Sequence, residues 1–153
     1  NAWHPYYATL VRVDGRKGFH DVQRHPEGRS VPGLEIFRWD AQLFFANAEI
    51  FRYRVLQVVQ NSPTPPKWLI VAADAITDVD ITAADSLQSL HQELQQLGVE
   101  LHFAGLKGLV KDRLAHYGLM TLIGEDRFSP TVGSAVNRYR SQHTVDWKDW
   151  DEV

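Results

Sequence analysis

The stretch "DAITDVDITAAD" (residues 74–85) places Asp74, Asp78, Asp80, Thr82 and Asp85 between a compact apolar run, "KWLIVAA", and an apolar-periodic segment. Three chemistries fit residues of these types at a strand-to-helix junction. Carboxylates at the C-terminal edge of a sheet can hold Mg²⁺ for phosphoryl transfer, with Asp74, Asp78 and Asp80 as ligands and Lys107 as the cationic partner. A helix N-terminus at Thr82 can cradle an anion or nucleotide through its free N–H groups. A dense acidic loop can also be a docking surface for another protein. Beside these stands a purely structural account. Thr82 would cap the helix, Asp85 three residues on would complete a T-x-x-D box, and Asp80 would gain about 0.3–1 kcal/mol from the helix dipole. That account leaves Asp78 unexplained.

Electrostatics separates the anion cradle from the docking loop. Each unit charge at about 4–8 Å opposes an anion by roughly 0.5–4 kcal/mol, depending on exposure. The helix dipole offers only about 0.3–1 kcal/mol. Asp78, Asp80 and Asp85 therefore make the loop a poor anion site without Mg²⁺, and at most weak nucleotide binding is left open. The expected regulatory and interaction loop is Asp78, Asp80, Thr82 and Ala83, with Lys107 and Gly108 from the next strand end as its rim.

Other catalytic signatures are missing. The sequence has no G-x-x-x-x-G-K-[ST], no G-x-G-x-x-G and no G-x-S-x-G, and the Ser of "TVGSAV" falls inside an expected helix. Seven His form neither H-x-x-x-H nor H-E-x-x-H. His20 and His25 share a loop but have no third ligand at metal spacing. His91, His102 and His116 read as partly exposed residues on helices and a strand. No catalytic residue, metal or cofactor is expected.

The 153 residues suit one domain, and 44% hydrophobic residues with five Trp supply a core. A net charge of −3 with scattered Lys and Arg argues against a nucleic-acid partner. The absence of Cys removes disulfides, thiolate metal sites and a Cys nucleophile, and it fits a reducing compartment. No apolar run approaches the roughly 20 residues of a membrane span, and no signal peptide is visible. The first residue is Asn1 and Met120 is the sole Met, which reads as a processed chain or a domain of something longer.

The elements that must position the acidic loop follow from periodicity. "YYATLVRV" (6–13) alternates as a strand, with Tyr7, Thr9, Val11 and Val13 on one side. A polar, Gly- and Pro-rich connection over 14–33 follows and is expected to be mobile, with Phe19 as its one anchor. "LEIFRW" and "QLFF" read as strands. Residues 47–60 read as a helix capped by Asn47, with Ala48, Phe51, Val55 and Val58 inward, stopped by "NSPTPP". "WLIVAA" suits a central strand buried on both faces.

Residues 82–97 carry Ala83, Leu87, Leu90, Leu94 and Leu97 as one helical stripe before Gly98. "VELHFAG" is the next strand. "LKGLVKDRLAHYG" is a helix with Leu106, Val110, Leu114 and Tyr117 inward, and "MTLIG" reads as a short strand. "SPTVGSAVNRYRSQ" is a last helix, with Ser129 as N-cap and Pro130 at its first position. Alternating strands and helices give an α/β sheet. The acidic tail "TVDWKDWDEV" (144–153) reads as a frayed or weakly docked terminus or, more sharply, as a partner-binding segment.

Several of these stretches resemble one family. "VPGLEIFRWDAQLFFANAEIFRYRV" is similar to the opening of the STAS domain of sulfate permease (SulP, solute carrier 26) anion transporters, "FFANAE" being its most distinctive part. "WLIVAADAITDVDITAADSLQSLHQEL", "GVELHFAGLKGLVKDRLAHYGL" and "IGEDRFSPTVGSAV" resemble the family's later segments. "GFHDVQRHPEGRSVPG" resembles the lead-in from the membrane part.

The resemblance implies a mixed sheet with about four helices packed mainly on one side. It divides the single domain into a strand and connection (1–33), a core (34–143) and the acidic tail (144–153). The implied role is regulatory and non-enzymatic: a C-terminal domain on the cytoplasmic face of the membrane, attached to its own transmembrane transport domain. A homodimeric parent and a cytosolic protein partner would accompany it. A more distant resemblance links Asp80, Ile81, Thr82 and Ala83 to the Asp-Ser-Ser-Gly motif of anti-sigma-factor antagonists, with Thr82 in the place of the phosphorylated Ser. Ile81 and Ala83 depart from that pattern. A free-standing switch phosphorylated at Thr82 is the alternative function, and a Mg²⁺-dependent enzyme a third.

Overall fold

The computed structural model describes residues 6–152. Among these residues six strands form one sheet: β1 (Tyr7–Arg12), β2 (Phe19–Asp21), β3 (Leu34–Trp39), β4 (Trp68–Ala72), β5 (Glu100–Ala104) and β6 (Phe128–Ser129). Their spatial order is β2-β1-β3-β4-β5-β6. β1 is antiparallel to both β2 and β3, and β3 through β6 run parallel. β4, an unbroken apolar run, is buried along its whole length, as a strand covered on both faces must be.

Five helices cover the sheet: α1 (Ala48–Asn61), α2 (Ile81–Gln96), α3 (Gly108–His116), α4 (Leu119–Ile123) and α5 (Val132–Gln142). Side-chain alternation along the strands assigns them to faces. Phe37, Trp39, Leu69, Val71, Leu101 and Phe103 face α1 to α4. Leu34, Ile36, Trp68, Ile70 and Ala104 face α5 through Ala135, Val136 and Tyr139. The mixed sheet with helices mainly on one side is the STAS-like fold expected, with α5 alone on the second face. Tyr139 reaches Pro32 O at 2.8 Å. Gly33 is required beside it, because its φ is +81° and a Cβ would overlap the Tyr139 hydroxyl.

Several local expectations are corrected. "QLFF" is not a strand; only Leu43 makes a bridge, to Val79. "MTLIG" belongs to α4, and the sixth strand is the two-residue β6. Ser129 is drawn into β6 beside Ala104, so the α5 cap moves to Thr131, whose side chain exchanges hydrogen bonds with Ser134 in a capping box. In α1 the inward stripe ends at Val59 rather than Val58, and Leu97 is exposed. His91 and His102 are buried rather than partly exposed. The connection over 14–33 contains β2 and folds back on β1 through Arg12 and Arg29, whose backbones exchange hydrogen bonds of 3.0 and 2.8 Å. The tail is docked over its described residues, 144–152. Trp147 packs against the α5-side core, and Asp149 pairs with Arg12 at 2.8 Å.

Candidate functional site

The parallel strands deliver three loops to one sheet edge: β3–α1, β4–α2 and β5–α3. Gln42 ties the first to the second. Its Oε1 accepts from Thr77 N at 3.0 Å and Asp78 N at 2.9 Å, and its amide donates to Thr77 Oγ1. The Leu43–Val79 bridge continues the join.

Asp80, rather than Thr82, caps α2. Asp80 Oδ1 accepts from Ala83 N at 2.8 Å, and Oδ2 accepts from Phe45 N at 3.0 Å. One carboxylate thus holds the helix N-terminus and the preceding loop together. Three cap-forming residues at 78, 80 and 82 made the start ambiguous in sequence; the distant Phe45 amide selects Asp80. Thr82 lies inside the first turn and is exposed, as is Asp85, so the T-x-x-D box is not formed. Ala83 is fully buried and serves the helix start through its N–H.

Asp78 is exposed. Its Oδ1 accepts from Val79 N at 2.9 Å and pairs with Arg113 Nε at 3.2 Å. Lys107 crosses from the neighbouring loop, its Nζ donating to Asp74 O, and Gly108 begins α3. Gly105 sits beneath Asp74 with φ +80°, where a Cβ would overlap the carboxylate. The structure therefore brings Asp78, Asp80, Lys107 and Gly108 onto adjoining loops, as expected. Asp74, Asp78 and Asp80 do not converge as a Mg²⁺ set. Asp80 spends both oxygens on backbone N–H groups, Asp78 faces a guanidinium, and no group of three or more His, Asp or Glu that could hold a metal occurs among the described residues.

With Asp78 and Asp80 engaged locally, the edge is less acidic than its sequence. What it exposes instead is apolar. Phe45 is 70% exposed, Ile81 61% and Leu109 82%, the three most exposed large apolar side chains among the described residues. Sequence reasoning placed Phe45 in a strand and overlooked Ile81 and Leu109. The available signal was the failure of Ile81 and Leu109 to fall on the apolar stripes of their own helices. Thr82 lines a shallow groove with Phe45, Glu49, Arg52, Asp85 and Ser86. Arg52 there is paired with Glu93 and Glu49, so a phosphate at Thr82 would meet a guanidinium already shared between two carboxylates.

On the opposite face, His102 is 2% exposed and stacks on Trp68 at a ring separation of 3.6 Å. Burial, reinforced by Arg127 and Arg138, pushes its pKa down to about 3, outweighing the Glu100 carboxylate 3.2 Å from Nε2. The imidazole is neutral and donates to Glu100. Glu35, buried at the other end of the sheet, has its carboxyl pushed up by desolvation against one hydrogen bond from Ser62.

Comparison with known proteins agrees with this architecture. Residues 25–135 match the STAS domain family model. A probable sulfate transporter of Mycobacterium tuberculosis is 39% identical over 137 residues, 90% of this chain and 24% of that protein. The murine Solute Carrier 26 family member A9 anion transporter in its inward-facing state superposes with a TM-score of 0.80 at 20% identity, over 88% of this chain and 22% of that one. An anti-sigma factor antagonist of Thermotoga maritima, described as putative in its structure, superposes with a TM-score of 0.61 at 14% identity, over 73% and 92%. The chain spans about a quarter of the length of the curated transporters it matches. No helix among the described residues is long and apolar enough to cross a membrane. By family match, and with relatives named as sulfate transporters, this chain belongs to the STAS domain family.

Proposed function

We propose that this chain is the regulatory and protein-interaction domain of a sulfate-type anion transporter, placed on the cytoplasmic face of the membrane and not itself catalytic. The observation that carries the reading is the loop edge, where Phe45, Ile81 and Leu109 are exposed beside the charged side chains of Asp78, Lys107 and Arg113. Its relationship to transporters four times its length supports a membrane-embedded partner in the same polypeptide. The docking surface is then the expected acidic loop with its Lys107 and Gly108 rim, to which the exposed Phe45, Ile81 and Leu109 add apolar area. The carboxylates orient the loops, and the apolar side chains would supply the buried centre of the contact. A homodimeric parent and a cytosolic partner remain compatible with the same edge.

The test is a photo-cross-linking amino acid at position 45 of the full-length parent. Adducts to its membrane-embedded part support the reading. The absence of adducts to that part, to a second copy of the parent and to any cytosolic protein would remove it.

The alternative, a switch phosphorylated at Thr82, draws on the exposure of Thr82 at the junction and on the antagonist fold. Phosphate there would add about −1.5 to −2 charge beside Asp85 and Glu49 and redirect contacts at Phe45. Mass spectrometry of chain isolated from its native cell decides it, unmodified Thr82 under all growth conditions being the negative result. Nucleotide binding stays a weak expectation, checked by titrating GTP or ATP with and without Mg²⁺.

A further inference from the structure

On the α5 face, the acidic tail closes over Arg12 and Arg140, whose carboxylate partners among the described residues all lie in the tail. Arg12 is 7% exposed. Its Nη1 donates to Gly18 O at 2.8 Å, while its Nε donates to Asp149 Oδ1 at 2.8 Å and its Nη2 to Asp151 Oδ2 at 3.1 Å. Phe19 and Trp150 bracket the guanidinium at 5.2 and 5.6 Å. Arg140 pairs with Glu152 and lies 4.9 Å from the Trp147 ring. A cavity of about 630 Å³ opens beside these groups, lined by Arg12, Arg38 and Arg140 and, among acids, by Asp74 and the three tail carboxylates.

Two features mark the tail as an occupant rather than a wall. The first is stoichiometry. Asp149 and Asp151 crowd two negative charges onto the Nε/Nη2 edge of one guanidinium, the edge that a single oxyanion takes in a two-pronged contact. Without the tail, Arg12 and Arg140 would keep no carboxylate partner among the described residues, whereas Arg38 keeps Asp40 at 2.7 Å. The second is separability. The tail forms no strand or long helix. Trp147 anchors its start against the α5-side core, and beyond it residues 149–152 are held by side-chain charges, rings and a few single hydrogen bonds, such as Trp150 Nε1 to Arg16 O at 3.0 Å. The link from the end of α5 is the irregular stretch 143–146.

We propose that Arg12 and Arg140 form a tetrahedral-oxyanion site, for sulfate or phosphate, and that residues 149–152 are its tethered competitor. A short tether presents the tail at an effective concentration of the order of millimolar. Free anion therefore competes only at comparable concentration, or when another contact draws the tail away. Resting on the transporter reading, sulfate is the expected physiological ligand, and the site would report the level of the carried anion. The anion site itself does not need that reading.

The test titrates sodium sulfate and sodium phosphate into the full chain at an ionic strength held constant with chloride. Arginine Nε–H NMR signals and tryptophan emission are the readouts. The variant carrying Asp149→Asn, Asp151→Asn and Glu152→Gln should bind at least tenfold more tightly than the unaltered chain, and adding Arg140→Gln should abolish the gain. Glu152→Gln alone, a change at an exposed residue, should shift affinity in the same direction by less, which covers a triple variant that does not fold. Equal affinity in all folded variants, or an equal response to chloride, overturns the proposal. The sulfate and phosphate arms identify which anion is preferred. Phe45 and Leu109 lie outside this cavity, so failure here leaves the docking reading standing, and failure of cross-linking leaves this one.

Discussion

Replacing Asp80 with Ala should destabilise the domain more than any other single change in the acidic loop. The carboxylate accepts from Ala83 N at 2.8 Å and from Phe45 N at 3.0 Å. Losing an N-cap of this kind costs about 1 kcal/mol, within a range of about 0.5–2. Losing a charge-assisted bond to the second amide costs about 1.5–3 kcal/mol where water cannot replace it; the Phe45 amide lies in an exposed loop, so the lower end applies. The combined effect is about 2–3 kcal/mol. Asp80→Asn keeps one acceptor oxygen and should lose about 1 kcal/mol. By contrast Asp78 is exposed and its partner Arg113 is half exposed, so Asp78→Ala should cost no more than about 1 kcal/mol. Urea unfolding of the three variants measures this directly. At a slope of about 1–3 kcal/mol per molar urea, Asp80→Ala lowers the midpoint by about 0.7–3 M. A loss below about 0.5 kcal/mol, or one equal to that of Asp78→Ala, would refute the view that Asp80 clamps the two loops.

Three further outcomes follow from the same geometry. His102 titrates near pH 3 when folded and near 6.5 when unfolded. Its folded value is depressed, so the unfolded state binds the extra proton between those values and stability falls as pH drops from about 6.5 towards 3, by up to roughly 1.4 kcal/mol per unit. His102→Phe should flatten that limb in acid-unfolding curves, and an unchanged limb would rule the residue out. Asp149 is pushed up by burial but pulled further down by its bonds to Arg12, leaving its pKa below the ordinary carboxylate value, and Arg140 chiefly lowers that of Glu152. Tail docking is therefore complete at neutral pH and is lost as acid protonates these groups below the usual carboxylate range, seen as a red shift of Trp150 emission; a shift centred near pH 6 would contradict it. Gly105→Ala places a Cβ at φ +80° against the Asp74 carboxylate and should cost at least about 1–2 kcal/mol of strain, measured as a lowered Tm.

How far the sequence went depended on segment length and on the reach of each contact. α1, α2, α3, α5 and the strands β1, β3 and β5 carry enough apolar residues to show a period, and β4 shows instead as an unbroken apolar run between turn signals. β2 and β6, of three and two residues, show none, and α4 has only five residues. The resemblance supplied the helix side, which alternation along "LEIFRW" alone does not determine. At the site, position was legible and role was not. Asp78, Asp80 and Thr82 are all cap formers two residues apart, and the choice fell to a Phe45 amide 35 residues away. The tail was ambiguous for a similar reason. Its acidic residues are visible, but Arg12 lies 137 residues before Asp149, and no local pattern joins them.

The central claim is that the loop edge is where this domain acts on its transporter. Sulfate uptake by the full-length parent carrying Phe45→Ser and Ile81→Ser measures it most directly, with membrane abundance matched and the isolated domain shown to unfold at its normal midpoint. Both side chains are mostly exposed, so folding should be retained. Uptake is predicted to change at least threefold, in either direction. Uptake equal to that of the unaltered parent would contradict the account.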